Sequence, residues 1–455
     1  MRPAQTPPGV RSRLAQRVAD PFLRFADLEV AGAVVLLLLT AVALFWANSP
    51  WGHTYEEFWS TEAGISIGPW FELSLSLGQW VNDGLMAVFF FVVGMEIKRE
   101  MVIGELSTLR RALLPIVAAL GGMIVPAAVY ASFHWGEPTL RGWGVPMATD
   151  IAFAMAALSL LGARVPHGLR VFLLALAIAD DLGAVSVIAI FYTEEIHLGS
   201  LGLAGLGLGA VWLLNLVGVR SFLVYAVLGA FVWYETHHSG VHATIAGVLL
   251  GFLAPTTRDL DEKETLLDHG KDALERLRGI LLGEGDDDEL DRGAHSRHRV
   301  LVSLQAVGRQ AISPLDFLTL TLERWVAFFI MPVFALANAG VVIEAATLND
   351  PVSQRVGIAV ALGLLLGKPV GIALFSWGSV RFGLADLPRG VNWQAILATG
   401  VLAGIGFTVA LFVTALAFSD PAAVAGSKLG ILAGSLLAAV IGVAILARAL
   451  PPTSD

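Results

Sequence analysis

The run Val171-Phe172-Leu173-Leu174-Ala175-Leu176-Ala177-Ile178-Ala179-Asp180-Asp181-Leu182-Gly183-Ala184-Val185-Ser186-Val187-Ile188-Ala189-Ile190-Phe191-Tyr192 sets two adjacent carboxylates near the middle of an apolar stretch long enough to cross a bilayer. A charge there is disfavoured by roughly 2.5–3.5 kcal/mol on insertion scales, so an intramembrane acid marks an ion or proton path. Neighbouring helix positions face different ways. One acid can therefore hold a structural partner while the other lines a wet cavity.

The rest of the chain has the same character. Its 455 residues are 56% hydrophobic and 15% charged, with mean hydropathy +0.72, which excludes an ordinary soluble protein of this size. The expected fold is an all-α polytopic membrane protein. Twelve transmembrane spans are predicted, near 28–48, 76–98, 112–133, 143–162, 169–193, 199–218, 221–235, 239–255, 325–344, 356–377, 393–419 and 426–448. This divides the chain into an N-terminal arm (1–27), spans one to eight (28–255), a loop with an insert (256–324), spans nine to twelve (325–448) and a tail (449–455).

Lys and Arg orient the spans, because loops rich in them stay cytoplasmic. Arg2, Arg11, Arg13, Arg17 and Arg24 fill the arm, and Lys98, Arg99, Arg110 and Arg111 follow span two. Arg164 and Arg170, then Arg220, the segment 256–324, Arg381 and Arg389, and finally Arg448 mark the same side. The opposite loops hold only Arg141, Arg355 and Lys428. Both termini are predicted cytoplasmic. The first apolar stretch is full length and follows a polar arm, so no cleavable signal peptide is expected.

No Cys is present, which excludes disulfides and thiol chemistry. Nothing resembles a phosphate loop or a metal box, and no cofactor is expected. The net charge of -9 says little about partners, and no nucleic acid is expected among them. The densest acidic run, Glu284 to Asp291, lies in the insert at roughly 256–312. There Leu266, Leu267, Ala273, Leu274, Leu277 and Leu281 predict an amphipathic helix and 299–311 a second one, together read as a solvated cytoplasmic hairpin in preference to a regulatory binding module. Between spans one and two, the stretch Gly64 to Ser74 alternates around Gly68-Pro69 and predicts a short β-hairpin on the outside.

Two spans are interrupted. Span four opens Gly144-Val145-Pro146-Met147-Ala148-Thr149-Asp150, and span eleven has Gly400, Gly404 and Gly406 before Phe407-Thr408. Paired interruptions in the two halves of a chain point to a transporter with inverted repeats and a midplane site, although glycines that serve close helix packing explain span eleven equally well. A broken helix exposes N–H groups at one half-helix start and carbonyls at the other half-helix end. Asp150 can offset the former. Lys368, the one basic residue deep inside a span, can offset the latter or pair with an aspartate of span five.

Asp83 and Glu96 lie in span two, and composition alone reads Glu96-Ile97-Lys98-Arg99-Glu100 as an interfacial charge network. His242 reads as a packed or hydrogen-bonded histidine before a proton relay.

Several strings resemble the bacterial NhaA sodium/proton antiporters, in family order and across nearly the whole chain. They are Gly94-Met95-Glu96-Ile97-Lys98-Arg99-Glu100, Thr149-Asp150-Ile151-Ala152-Phe153-Ala154, Ala179-Asp180-Asp181-Leu182-Gly183, Gly240-Val241-His242-Ala243-Thr244, Leu336-Ala337-Asn338-Ala339-Gly340, Gly367-Lys368-Pro369 and Gly404-Ile405-Gly406-Phe407-Thr408. That family is itself among the type examples of inverted-repeat transporters.

The resemblance implies twelve spans with crossed broken helices at spans four and eleven, in a bacterial cytoplasmic (inner) membrane. It implies electrogenic exchange of cytoplasmic sodium or lithium for external protons, and no enzymatic activity. Asp181 would be the main carrier of sodium and protons, Asp180 its functional neighbour and the salt-bridge partner of Lys368, and Asp150 with Thr149 would serve the crossing. Glu96, Arg99 and Glu100 would sense pH, and the hairpin near 64–74 would join two copies as a homodimer embedded in lipid. One departure stands out. Between Ser313-Pro314 and Trp325 the family carries an acid and two histidines, where this chain reads Leu318-Thr319-Leu320-Thr321-Leu322-Glu323-Arg324.

Three other readings compete. A sodium-coupled solute symporter needs a cavity for an organic substrate, and a channel conducts without countertransport. An intramembrane aspartyl protease needs two acids on separate helices, which Asp150 and Asp181 can mimic. Its expected Gly-x-Gly-Asp string occurs only as Gly283-Glu284-Gly285-Asp286, in the polar insert.

Overall fold

The computed structural model describes residues 28–67, 71–193, 196–219, 221–255, 314–388 and 390–450. The N-terminal arm, the hairpin tip 68–70, Arg220, the insert at 256–312, Arg389 and residues 451–455 lie outside the described residues. The chain divides into two compact units, Met1–Phe252 with Glu323–Asp455, and Leu253–Leu322.

The described residues are mostly helical, in the order α1 (Leu28–Ala47), α2 (Leu77–Val102), α3 (Leu109–His134), α4 (Ile151–Ser159), α5 (His167–Phe191), α6 (Leu198–Val217), α7 (Phe222–His238), α8 (Ala243–Leu253), α9 (Leu318–Asn338), α10 (Pro351–Arg381), α11 (Trp393–Ala403), α12 (Phe407–Ala417) and α13 (Pro421–Ala449). Eight of these are long and apolar enough to span a membrane, and α11 with α12 forms a ninth stretch bent by 48° at its break. Their outward faces carry exposed apolar side chains such as Phe45, Leu206 and Leu216. Such surfaces suit lipid rather than water.

Two expected spans are shorter than a bilayer crossing, 143–162 as α4 and 239–255 as α8, whereas α7 covers the expected 221–235 with 17 residues, at the lower limit for a crossing. For α4 the cause is local. Pro138–Met147 winds as 3-10 turns instead, and regular helix starts only after Asp150, whose side chain caps it through Phe153 N–H.

Between α1 and α2 the predicted hairpin is present as β1 (Glu62–Ile67) against β2 (Phe71–Ser76), antiparallel, with Glu62 opposite Ser76 and Ile67 opposite Phe71. Ser76 then caps α2 in a reciprocal capping box with Gln79. Trp80, in the next turn, donates from Nε1 to Ala63 O at 2.8 Å and anchors the hairpin to α2.

Three helices contain a wide π turn: α2 at Trp80–Leu85, α9 at Val326–Ile330 and α10 at Gly363–Gly367. The third lies directly before Lys368. Its glycines permit close approach, since a Cβ on Gly363 would strike Pro146 and one on Gly367 would strike Pro126, a proline inside α3. One turn later Gly121 of α3 and Gly371 of α10 face each other so closely that a Cβ on either would meet the other's carbonyl. This packing holds Lys368 against α3 and the segment leading into α4.

Candidate ion-binding site

Asp180 and Asp181 sit on the buried side of α5, at 2% and 3% exposure. Their surroundings differ. Lys368, 1% exposed, puts Nζ 2.6 Å from Asp180 Oδ2 and also donates to the carbonyl of Met147, the last residue of the 3-10 segment. Lys368 thus meets both an aspartate of α5 and a free carbonyl ahead of α4, the two roles read for it as alternatives.

Thr149 completes the contacts of the same oxygen. Its hydroxyl lies 2.6 Å from Asp180 Oδ2 and 2.9 Å from the carbonyl of Ala403, where α11 ends. Asp180 Oδ2 is therefore shared between an ammonium and a hydroxyl, whereas Oδ1 has no hydrogen-bond partner among the described residues. Asp181 accepts no hydrogen bond from any described residue. Its charged neighbours are Asp180, Glu96, Asp150 and Lys368.

Asp150 stands where the two interrupted segments meet. Its Oδ1 accepts from Phe153 N–H at 3.1 Å and so caps α4. Its Oδ2 accepts from Thr408 N–H at 3.2 Å and from the Thr408 hydroxyl, at the start of α12. One carboxylate thus serves the positive ends of two half-helices. Between them the backbones touch, with Asp150 N–H donating to Ile405 O at 2.6 Å. Ser435 of α13 accepts from the N–H groups of Gly406 and Phe407 at 3.2 Å each.

Glu96 and Glu100 are half-buried and Arg99 is exposed near the end of α2. The charged neighbours of Glu96 are Glu323, Arg99 and Glu100. Glu323 comes from α9, far from Glu96 in sequence, so sequence reading missed it as a member of this cluster. Through Glu96 the cluster lies within electrostatic reach of Asp181.

Asp83 lies in the π turn of α2, where His237 Nδ1 is 3.9 Å from Oδ2 and Trp233 Nε1 donates to its carbonyl. It is not brought to the aspartate pair by any described hydrogen bond. His242 bonds Tyr192 O through Nε2 at 2.8 Å, in keeping with its reading as a hydrogen-bonded histidine.

Glu137, in the segment after α3 and outside the spans, accepts a 2.7 Å hydrogen bond at Oε1 from Arg355 near the start of α10, which holds that carboxyl below its ordinary range.

Spans packed around buried charges at a crossing of interrupted segments define a multi-span membrane protein built as a secondary transporter. The chain belongs to the Na+/H+ antiporter 1 family, whose model matches residues 23–446. A relative from Rhodopirellula baltica, named Na(+)/H(+) antiporter NhaA, is 48% identical over 95% of this chain and 94% of its own length. Relatives from Sorangium cellulosum and Myxococcus xanthus, both named Na(+)/H(+) antiporter NhaA 2, are each 47% identical over 96% and 97% of this chain and 92% of their own. A solved structure of a sodium proton antiporter from Methanocaldococcus jannaschii aligns with TM-score 0.48 at 14% identity, over 95% of this chain and 99% of that one.

Proposed function

We propose that this protein is a secondary antiporter that exchanges sodium, or lithium, for protons across a bacterial cytoplasmic (inner) membrane. It is a transporter and not an enzyme. Family membership and the names of relatives matching along almost the whole chain support sodium/proton exchange, and they give the solute-symporter reading no support.

One observation carries the site assignment: of two adjacent buried aspartates, one has its Oδ2 occupied by Lys368 and Thr149, while the other accepts no hydrogen bond from the described residues. Asp181 is then the carrier whose oxygens sodium and protons compete for, with Asp180 as its neighbour in the ion site. Lys368 compensates the charge of Asp180. Asp150 and Thr149 hold the crossing, and Glu96, Arg99 and Glu100 sense pH.

If the cavity opens to either side but never both, loading protons outside and sodium inside gives obligatory exchange. With more protons than sodium ions per cycle the exchange is electrogenic. Each net charge moved is then driven by about 2.3 kcal/mol per 100 mV of membrane potential. The finer architecture we infer is twelve spans in inverted repeats, both termini cytoplasmic, with two copies joined through the hairpin near 64–74.

The test is sodium-induced pH change in proteoliposomes with the membrane potential clamped. Sodium entry coupled to proton exit supports the reading. Sodium flux without proton countertransport would overturn it in favour of a channel or a symporter.

A further inference from the structure

The start of α12 carries N–H groups that have no acceptor within their own helix, in residues buried at the crossing. Three are accounted for. Thr408 N–H goes to a charged acceptor, Asp150 Oδ2, at 3.2 Å, and Gly406 N–H and Phe407 N–H both go to a neutral one, Ser435 Oγ, at 3.2 Å. Ser435 is 5% exposed and comes from α13, whose Ser427 makes a further side-chain hydrogen bond to α12 at Thr414, beyond the crossing.

The division has an electrostatic consequence. A half-helix start behaves as a partial positive charge. A carboxylate in place of Ser435 would cancel that charge and oppose Asp150, whereas a hydroxyl satisfies the hydrogen bonds and leaves the field to Asp150 alone. We propose that Ser435 is a positioning residue for the ion site, a neutral cap that fixes the start of α12 so that Asp150 keeps its bonds to both half-helices. The effect reaches the aspartates through Asp150 and its neighbour Thr149, whose hydroxyl holds Asp180 Oδ2 and Ala403 O. Without the cap, two buried N–H groups lack an acceptor, and the nearest remedy is the Asp150 carboxylate, drawn away from Phe153 or Thr408. Thr149 then moves with it.

This rests on the site reading proposed above. The experiment compares Ser435→Ala, Ser435→Cys and Ser435→Thr in the full chain, reconstituted in proteoliposomes, reading the sodium KM separately from turnover at saturating sodium. Cys is somewhat larger than Ser and a poor acceptor, whereas Thr keeps the acceptor and adds a methyl group. Ala and Cys are expected to raise KM at least about fivefold, with a smaller change in turnover, and Thr to stay within about twofold of wild type.

An unmoved KM in Ala and Cys overturns the proposal, as does a ranking by side-chain volume with Thr worse than Cys. Loss of folded protein with unchanged KM would make Ser435 a packing residue only, and if the Ala variant fails to fold, the Cys and Thr pair still decides. Asp181→Asn separates the two claims. Retained exchange there overturns the site reading, whereas an inactive Asp181→Asn with a flat Ser435 series overturns only the role of Ser435.

Discussion

Lys368 Nζ lies 2.6 Å from Asp180 Oδ2, with both side chains almost wholly buried. The pair spans α5 and α10, and the π turn before Lys368, backed onto Pro126 and Pro146, sets the position of the ammonium. Neutralising one aspartate in this way leaves its neighbour in sequence as the acid without a hydrogen-bonded partner. The two carboxylates are therefore chemically unequal despite being adjacent.

Breaking the pair from one side should be strongly destabilising. Lys368→Ala leaves Asp180 as a buried charge without its ammonium, a defect that costs about 3–5 kcal/mol in comparable pairs. Adding Asp180→Asn should recover part of that loss, because the stranded charge is gone. Thermal unfolding in detergent of the two single variants and the double variant measures the coupling. Strictly additive losses would refute the pairing.

Asp181→Asn should abolish sodium-dependent proton flux while leaving the fold intact, since removing a buried charge without a hydrogen-bonded partner relieves α5 rather than straining it. Flux in proteoliposomes and melting temperature are read on the same preparation. Wild-type flux would sink the assignment of Asp181 as carrier.

What was legible in the sequence was whatever violated the rules for an apolar helix. Asp180, Asp181, Asp150 and Lys368 stood out because charges are disfavoured in hydrocarbon, and the structure brings all four together at the crossing. The hairpin was legible from alternation around Gly68-Pro69. Ser435 was not, because a single hydroxyl in a glycine-rich span is inexpensive and commonplace. Nor were the carbonyls of Met147, Ala403 and Ile405, since every residue carries one and only the break decides which are free. Periodicity also gave no sign of the π turns. The interruption expected at Pro146 to Asp150 is where Pro146, without an N–H, and the cap at Asp150 defer regular helix to Ile151.

At the exposed ends of α3 and α10, Glu137 contributes stability through Arg355 that depends on pH with a definite sign. Its folded-state pKa is depressed, so the contribution is present above the unfolded carboxylate pKa and is lost as pH falls through the lower, folded value. Glu137→Gln should therefore lower the melting temperature slightly at pH 7 and have no effect once the wild-type carboxyl is protonated. High salt should shrink the neutral-pH difference. A difference that persists unchanged in acid would assign it to the amide's own contacts instead.

Glu96 and Glu323 come from α2 and α9, and the acid at 323 supplies a second carboxylate near Glu96 in a stretch that carries no histidine. If this cluster tunes exchange, Glu96→Ala should shift the pH profile of sodium-dependent proton flux and change the maximal rate less. Glu323→Gln should shift it too, because each acid titrates in the field of the other. If the two acids act as one coupled site, the double variant should move the profile by less than the sum of the two single shifts. Flux measured across pH at saturating sodium for all four proteins decides the matter. An unmoved profile with a reduced maximal rate would make the cluster structural, and strictly additive shifts would make the two acids independent.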